Sequence, residues 1–303
     1  MTAVLFDQYG PPEVLRLAEV PVPQAGPGQI RVRVKAAGVQ PFDVKVRSGE
    51  MADLMPVVFP QTIGQEYAGV VDQVGPGVTG IAVGDAVLGS TMLNGYAQYV
   101  VVAAENAVAK PPELDFPAAA AFVAAAQTAS GALQELKVAA GETLLVHAAA
   151  GSVGTIAVQL GRRAGATVIG TASPANHDYL RQLGAVPVAY GDGLVDRVRA
   201  LAPDGVDVAL DAAGGAAIPA SVELVPDRER IGTIVDDRLA AEYGIRVVRA
   251  GRSPARLAEV IGLAARGELV MPVRPYRFAD MVEAHRAVES RHGRGKVVLV
   301  VDP

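Results

Sequence analysis

The rhythm of apolar and polar positions changes once along the chain, near Phe116-Pro117. Before that point short runs alternate in period two. Ile30-Arg31-Val32-Arg33-Val34-Lys35 is apolar and charged in strict turn, the mark of a half-buried strand. Tyr67–Val74, Ala86–Leu88 and Tyr96–Val102 have a similar texture, with turn chemistry such as Gly75-Pro76-Gly77 between them. Many short strands separated by Gly and Pro predict an all-β barrel or sandwich. Beyond Phe116, apolar runs alternate with helical stretches. Thr143–His147, Thr167–Thr171, Val206–Leu210, Ile231–Val235 and Ile245–Val248 read as buried parallel strands. After the first of them, Val153, Ile156, Ala157, Leu160 and Ala164 fall on one helix face. Such alternation predicts an α/β, doubly wound parallel sheet. A charged helix over Asp280–Ser290 then leads into strand-like Lys296–Val301.

With 303 residues, half of them apolar and 19% charged, the chain can bury two cores. A formal net charge of -5 leaves no basic surplus to neutralise phosphates, so no nucleic-acid partner is expected. The longest apolar run, Phe116–Ala126, falls short of the roughly 20 residues that span a bilayer. Met1–Pro12 lacks the basic-then-apolar order of a signal peptide. A cytoplasmic protein without a membrane partner is the expectation. The absence of cysteine rules out disulfides and thiolate metal sites.

The strand Leu144-Leu145-Val146-His147 runs through Ala148-Ala149-Ala150-Gly151-Ser152-Val153-Gly154 into the amphipathic helix. This is an A-x-x-G-x-x-G form of the dinucleotide fingerprint. Small residues at Ala149 and Gly151 let the backbone approach a pyrophosphate, and the free N–H groups around Ser152 and Val153 face it at the helix start. An NAD site places an acid about 20 residues on, against the ribose 2′-OH. Here that segment reads Gly170-Thr171-Ala172-Ser173, and no carboxylate occurs from Thr143 to His177. NADPH is therefore the expected cofactor, with the Ser173 hydroxyl as donor to the 2′-phosphate and cationic help from His177 or Arg291. The competing role for Ser173 is to cap the next helix.

Five further segments carry a family resemblance. They are Gly38-Val39-Gln40-Pro41-Phe42-Asp43-Val44-Lys45-Val46-Arg47-Ser48-Gly49, Gly64-Gln65-Glu66-Tyr67-Ala68-Gly69, Val83-Gly84-Asp85-Ala86-Val87, Gly95-Tyr96-Ala97-Gln98-Tyr99-Val100 and Gly295-Lys296-Val297-Val298-Leu299. Together, and in this order, they resemble the medium-chain dehydrogenase/reductase superfamily over essentially the whole chain. The resemblance implies a GroES-like β-barrel catalytic domain over 1–116, to which 272–303 return, and an inserted Rossmann NADPH-binding domain over 117–271. Zinc-dependent members carry a ligand Cys in the first segment and a ligand His in the second. This chain has Gln40 and Gln65 there, and none of its four histidines falls in a ligand position. A Gln amide is a poor zinc ligand. No metal is expected, and the hydride acceptor is one that needs none: a conjugated enone or a quinone. Within the zinc-free quinone oxidoreductase and enone reductase branch, quinone-type members usually show Asn at the position of Gln40 and Tyr at that of Lys45. Pro-x-Asp-x-Lys-x-Arg is closer to the enone reductases.

By the same resemblance Lys45 is the catalytic cation, stabilising an enolate oxygen as hydride lands on the β-carbon; the competing role is a solvated surface lysine. Gln40 is a second donor to that oxygen, against a role in a capped turn. Thr128 matches the position beside the nicotinamide and its phosphates, and Thr233-Ile234-Val235 the backbone that receives the carboxamide. Tyr190 is placed near the adenosine phosphate, Tyr67 in the pocket wall or the core. Arg162-Arg163, Arg228 and Arg230 read as solvated charges. The expected function is NADPH-dependent hydride transfer to a conjugated carbonyl compound or quinone. The alternatives are a non-catalytic NADPH-binding protein, crystallin-like or regulatory, and an accessory enoyl reductase in polyketide-type biosynthesis. A homodimer is expected, joined at the Ile245–Val248 strand edge.

Overall fold

Residues 1–301 are described by a computed structural model, in which the chain divides into a first unit, Met1–Ala124 together with the chain from Ser253 onward, and a second, Ala125–Arg252. The first unit opens with β1 (Thr2–Phe6), β2 (Arg16–Glu19) and β3 (Gln29–Val39). Along β3 the alternation seen in sequence is obeyed: Ile30, Val32 and Val34 are buried, Arg33 is exposed, and Arg31 pairs with Asp72 on a neighbouring strand. Helix α1 (Pro41–Ser48) follows at once, announced in the sequence by little more than Pro41 and Gly49. Its boundaries are set chemically. Pro41 sits at the first helical position, the Asp43 carboxylate accepts from the Gln40 N–H at 3.0 Å, and Gly49 ends the helix at φ 90°. Then come β4 (Gln61–Thr62), β5 (Glu66–Val74), β6 (Ala86–Ser90), β7 (Tyr99–Ala103) and β8 (Val108–Ala109).

The Ala-rich run is longer than it reads in sequence. It is helix α2 (Phe116–Glu135), whose 20 residues are enough by length and composition to cross a membrane, alone among the described residues. Of its most apolar stretch, 78% is buried inside the protein, the pattern of a core helix.

The second unit alternates β9 (Thr143–Val146), α3 (Ser152–Arg163), β10 (Thr167–Ala172), α4 (His177–Gln182), β11 (Val186–Ala189), α5 (Leu194–Leu201), β12 (Val208–Asp211), α6 (Ala217–Leu224), β13 (Ile231–Thr233), α7 (Asp237–Tyr243) and β14 (Arg246–Val247). All the strand pairs are parallel, in the order β11-β10-β9-β12-β13-β14. This is a doubly wound sheet whose order reverses between β9 and β12, the place where such sheets bind ligands. Leu145, Ile169, Val198, Ala209, Ile218 and Ile231 form its core. A Cβ at Gly161 would lie 2.8 Å from Leu144 Cδ2, so glycine there lets α3 lie close on the sheet.

The chain returns to the first unit through α8 (Pro254–Ala265), β15 (Val273–Arg277), α9 (Met281–Glu289) and β16 (Lys296–Val300). A seven-stranded sheet runs β15-β16-β3-β5-β6-β8, with β7 also paired to β3. β16 meets the second half of β3 and β7 the first half, so β3 carries both on one edge while β5 takes the other. A smaller sheet, β2-β1-β4, is linked through an Ala3–Ala97 bridge. Val4, Phe6, Ile30, Tyr67, Tyr96 and Leu299 belong to one core. Tyr67 is a core residue: it is fully buried and its hydroxyl has no hydrogen-bond partner.

Candidate functional site

In the second unit the fingerprint forms the turn between β9 and α3. Ala148 stands at φ 53°, a backbone conformation usually left to glycine. The neighbouring strand holds it there: Thr171 accepts the Ala149 N–H on its carbonyl at 3.0 Å and the Ala148 N–H on its hydroxyl at 3.2 Å. A Cβ at Gly154 would fall 2.4 Å from the Ala148 carbonyl oxygen, so only glycine lets the helix start so close to the turn. Gly151 is the N-cap of α3 and makes no side-chain cap bond. The first N–H groups of the helix, at Ser152 and Val153, have no acceptor within it and present an anion-binding end. Gly151, Ser152 and Val153 are partly exposed, whereas Ala149 and Thr171 are buried with their polar groups engaged in the turn. The last two shape the loop from behind.

Ser173 leads from β10 into the 3₁₀ turn Pro174–Asn176, and its hydroxyl makes no cap bond. The capping role considered for it is thus not realised; it accepts instead from Asn176 Nδ2 at 3.3 Å. His177 Nε2 lies 3.3 Å from the Ala172 carbonyl. Tyr190 follows Ala189, the register partner of Ala172, and is 57% exposed. Thr128 lies on α2 and is partly exposed. Arg291, at φ 54° just beyond α9, is exposed and belongs to the first unit. On the other side of the switch point, Thr233 is buried and Val235 partly exposed. Between the two sides lies His147, fully enclosed, its Nε2 2.9 Å from the Ser221 hydroxyl. Burial pushes its pKa down to about 4, against the pull of Asp211, so it is neutral at pH 7 and packs as a core residue.

In the first unit the start of α1 gathers a set of buried polar groups. Gln40 Nε2 donates to Gln65 Oε1 at 2.8 Å, so the two amides that stand at the zinc-ligand positions of the resemblance bond each other. Asp43 Oδ2 accepts from the Gln40 N–H and from the Tyr96 hydroxyl, the latter at 2.8 Å. Burial raises the Asp43 pKa to about 7, partly offset by the Tyr96 bond and reinforced by the nearby Glu66 carboxylate. Glu66, with no exposure, accepts the Ala124 N–H on Oε1 at 2.6 Å and forms an ion pair with Lys296 from β16. Lys45 lies on α1, partly exposed, and its ammonium makes no ion pair among the described residues. Two members of this group escaped the sequence reading. Tyr96 was visible only as one letter of a motif, and Lys296 only as a charge at the head of an apolar strand.

Behind α1, Arg47 is 1% exposed and pairs with Glu289. His285 is fully buried beside it, neither ring nitrogen bonded, its ring edge-on to Tyr96 at 5.9 Å. Burial and the Arg47 charge push the His285 pKa down to about 3. A depressed base contributes stability that is complete above the unfolded pKa, ~6.5, and is lost as pH falls towards the folded value. His285→Phe keeps the packing and removes the titration. Its unfolding free energy is expected to fall less steeply than that of the parent between pH 6.5 and 4 in urea melts. Parallel curves would show that His285 gains no proton on unfolding.

The sequence matches the alcohol dehydrogenase GroES-like domain over residues 26–149 and the zinc-binding dehydrogenase family over residues 183–299. It is 37% identical to the spectinabilin polyketide synthase system protein NorB of Streptomyces orinoci over 310 residues, covering 95% of this chain and 14% of that protein. The chain thus spans only a small part of the polyketide synthases it matches. The quinone oxidoreductase of Coxiella burnetii superposes with a TM-score of 0.90 at 31% identity, covering 100% of this chain and 99% of that one. The quinone oxidoreductase of Escherichia coli complexed with NADPH superposes with a TM-score of 0.89 at 27% identity, covering 99% and 100%. The donor set does not suit the zinc of the second family description: the chain has no cysteine, and no three His, Asp or Glu side chains come together among the described residues. With a full-length relative at 31% identity and both domain types in place, the chain belongs to the medium-chain dehydrogenase/reductase family, in the branch of the quinone oxidoreductases and enoyl reductases.

Proposed function

We propose that the protein is an NADPH-dependent reductase of conjugated carbonyl compounds. The observation that carries this reading is the open start of α3 on the Ala148–Gly154 turn, with Ser173 and no carboxylate at the end of the adjacent strand. The turn suits a dinucleotide: apart from the Ala148 carbonyl oxygen at 3.3 Å, the space a Cβ would take at Gly151 is open, and the first N–H groups of the helix have no acceptor within it. Gly151, Ser152 and Val153 hold the pyrophosphate. Ser173, His177 and Arg291 are assigned to the 2′-phosphate, with Tyr190 beside them. Thr128 and the backbone of Thr233 and Val235 are assigned to the nicotinamide end. When bound, NADPH supplies a hydride. Lys45, with the amide N–H that Gln40 does not give to Gln65, then stabilises the negative charge that gathers on the carbonyl oxygen of the acceptor as its β-carbon is reduced. A proton taken from solvent by the α-carbon completes the saturated product.

The match to a polyketide synthase protein over 95% of the chain favours an α,β-unsaturated thioester as the conjugated carbonyl compound. Turnover of a short enoyl thioester beside an enone and a quinone, each with NADPH, separates these acceptors. No oxidation of NADPH by any of them would refute the enzymatic reading.

Cofactor choice is tested by calorimetric titration. NADPH is expected to bind at least about tenfold more tightly than NADH, roughly 1.4 kcal/mol. Ser173→Asp should reverse the order, since a carboxylate repels the 2′-phosphate and accepts from a 2′-OH. Equal affinities in the parent would sink the NADPH assignment.

A further inference from the structure

Asp211 is fully buried at the end of β12, beside the point where the strand order reverses. Nothing in the reaction proposed above uses it, yet every bond it makes serves a loop. Its Oδ1 accepts the N–H groups of Ala213 at 2.8 Å and Gly214 at 2.9 Å, which folds the loop leaving β12. Its Oδ2 accepts the Thr233 hydroxyl at 2.7 Å, on the next strand. That hydroxyl in turn accepts the N–H groups of Val235 at 3.2 Å and Asp236 at 3.3 Å. The backbone repeats the link, with Ile234 N–H on the Asp211 carbonyl at 3.0 Å. One carboxylate therefore fixes two successive loops at the carboxyl end of the sheet.

We propose that Asp211 is a positioning residue for the nicotinamide half of the dinucleotide, acting through the loops after β12 and β13. This rests on the NADPH reading above. The physical argument is one of direction. A carboxylate accepts and never donates, so the Thr233 hydroxyl must give its hydrogen to Asp211. Its lone pairs are thereby left to receive Val235 and Asp236, and the turn has one arrangement. An amide at position 211 can present N–H to Thr233, which frees the hydroxyl hydrogen to turn and loosens the grip on Val235 and Asp236. The adenine half of the site lies on the other side of the switch point, at the α3 turn and the end of β10. It shares none of these bonds.

The test compares NADPH with 2′,5′-ADP, which carries the adenine half alone, by calorimetry on the full chain. Asp211→Asn is expected to weaken NADPH on the order of tenfold while 2′,5′-ADP stays within about twofold of the parent. A purely structural role would lower both affinities together or only the unfolding temperature. If Asp211→Asn does not fold, Thr233→Val carries the same test, since it removes the hydroxyl through which Asp211 reaches the second loop. Selective loss of NADPH in either variant supports the assignment. Equal loss of both nucleotides, or no loss in a folded variant, overturns it while leaving the NADPH reading intact. A parent that binds neither nucleotide overturns that reading and this assignment with it.

Discussion

Lys45→Met is expected to slow single-turnover hydride transfer by about 10²–10³, on the order of 3–4 kcal/mol, with NADPH affinity close to that of the parent. The lysine sits on α1, partly exposed and without an ion-pair partner among the described residues, so its charge is available to a ligand. An ammonium facing an enolate oxygen acts mainly as charge develops there, so its loss should fall on the rate at saturation more than on binding. Methionine retains most of the stem's packing, and stability should change little. Rapid mixing of the NADPH-loaded protein with an enoyl substrate gives the transfer rate directly. If affinity falls while the saturated rate holds, Lys45 is a cofactor ligand. If neither moves, it is a surface lysine and the catalytic assignment is wrong.

Lys296→Met should destabilise the protein by about 3–5 kcal/mol, the usual cost of leaving one member of a buried ion pair without its partner. Glu66 has no exposure and the Lys296 side chain 2%, so water cannot take over the role of either. Asp43 lies close enough for Glu66 to raise its pKa, and the lysine is the cation that offsets both acids. Guanidinium melts of the parent, the single variant and Lys296→Met/Glu66→Gln form the measurement. The double variant, with neither member of the Lys296–Glu66 pair left without its partner, should recover much of the loss at an unchanged denaturant slope. A single-variant loss below about 1 kcal/mol would place the pair in effectively solvated surroundings, as for an exposed ion pair.

Where structure follows local pattern, it was legible in the residues. The period-two run at Ile30–Lys35 lies within β3, and the apolar runs of the second half fall on β9, β10, β12, β13 and β14. Two strands carry a proline, Pro187 in β11 and Pro275 in β15, and both lie at a sheet edge, where a missing N–H costs no ladder bond. Helix α1 is short and mixed in composition, so its signature was confined to Pro41 and Gly49. The same division holds for the site. The fingerprint at Ala148–Gly154 is contiguous and could be read. Glu66 with Lys296, and Asp211 with Thr233, are pairs made by sheet register between distant segments, and no spacing in the chain announces them. The nearest hint for Asp211 is an acid closing an apolar strand just before Gly214-Gly215.

The position of β16 bears on how the molecule is made. This strand lies inside the large sheet, between β15 and β3, and brings Lys296 to Glu66. During synthesis β3 and β5 leave the ribosome well before β16, the strand that completes their sheet. The six strands of the second unit come from one uninterrupted stretch, Thr143–Val247, and depend on nothing made later. Units of this kind fold as they emerge. The nascent chain therefore holds a finished Rossmann sheet while the barrel ahead of it still has an open β3 edge and an unneutralised Glu66, and the translation of some fifty further residues, from Arg252 to Val300, is the interval in which that edge is exposed to other chains.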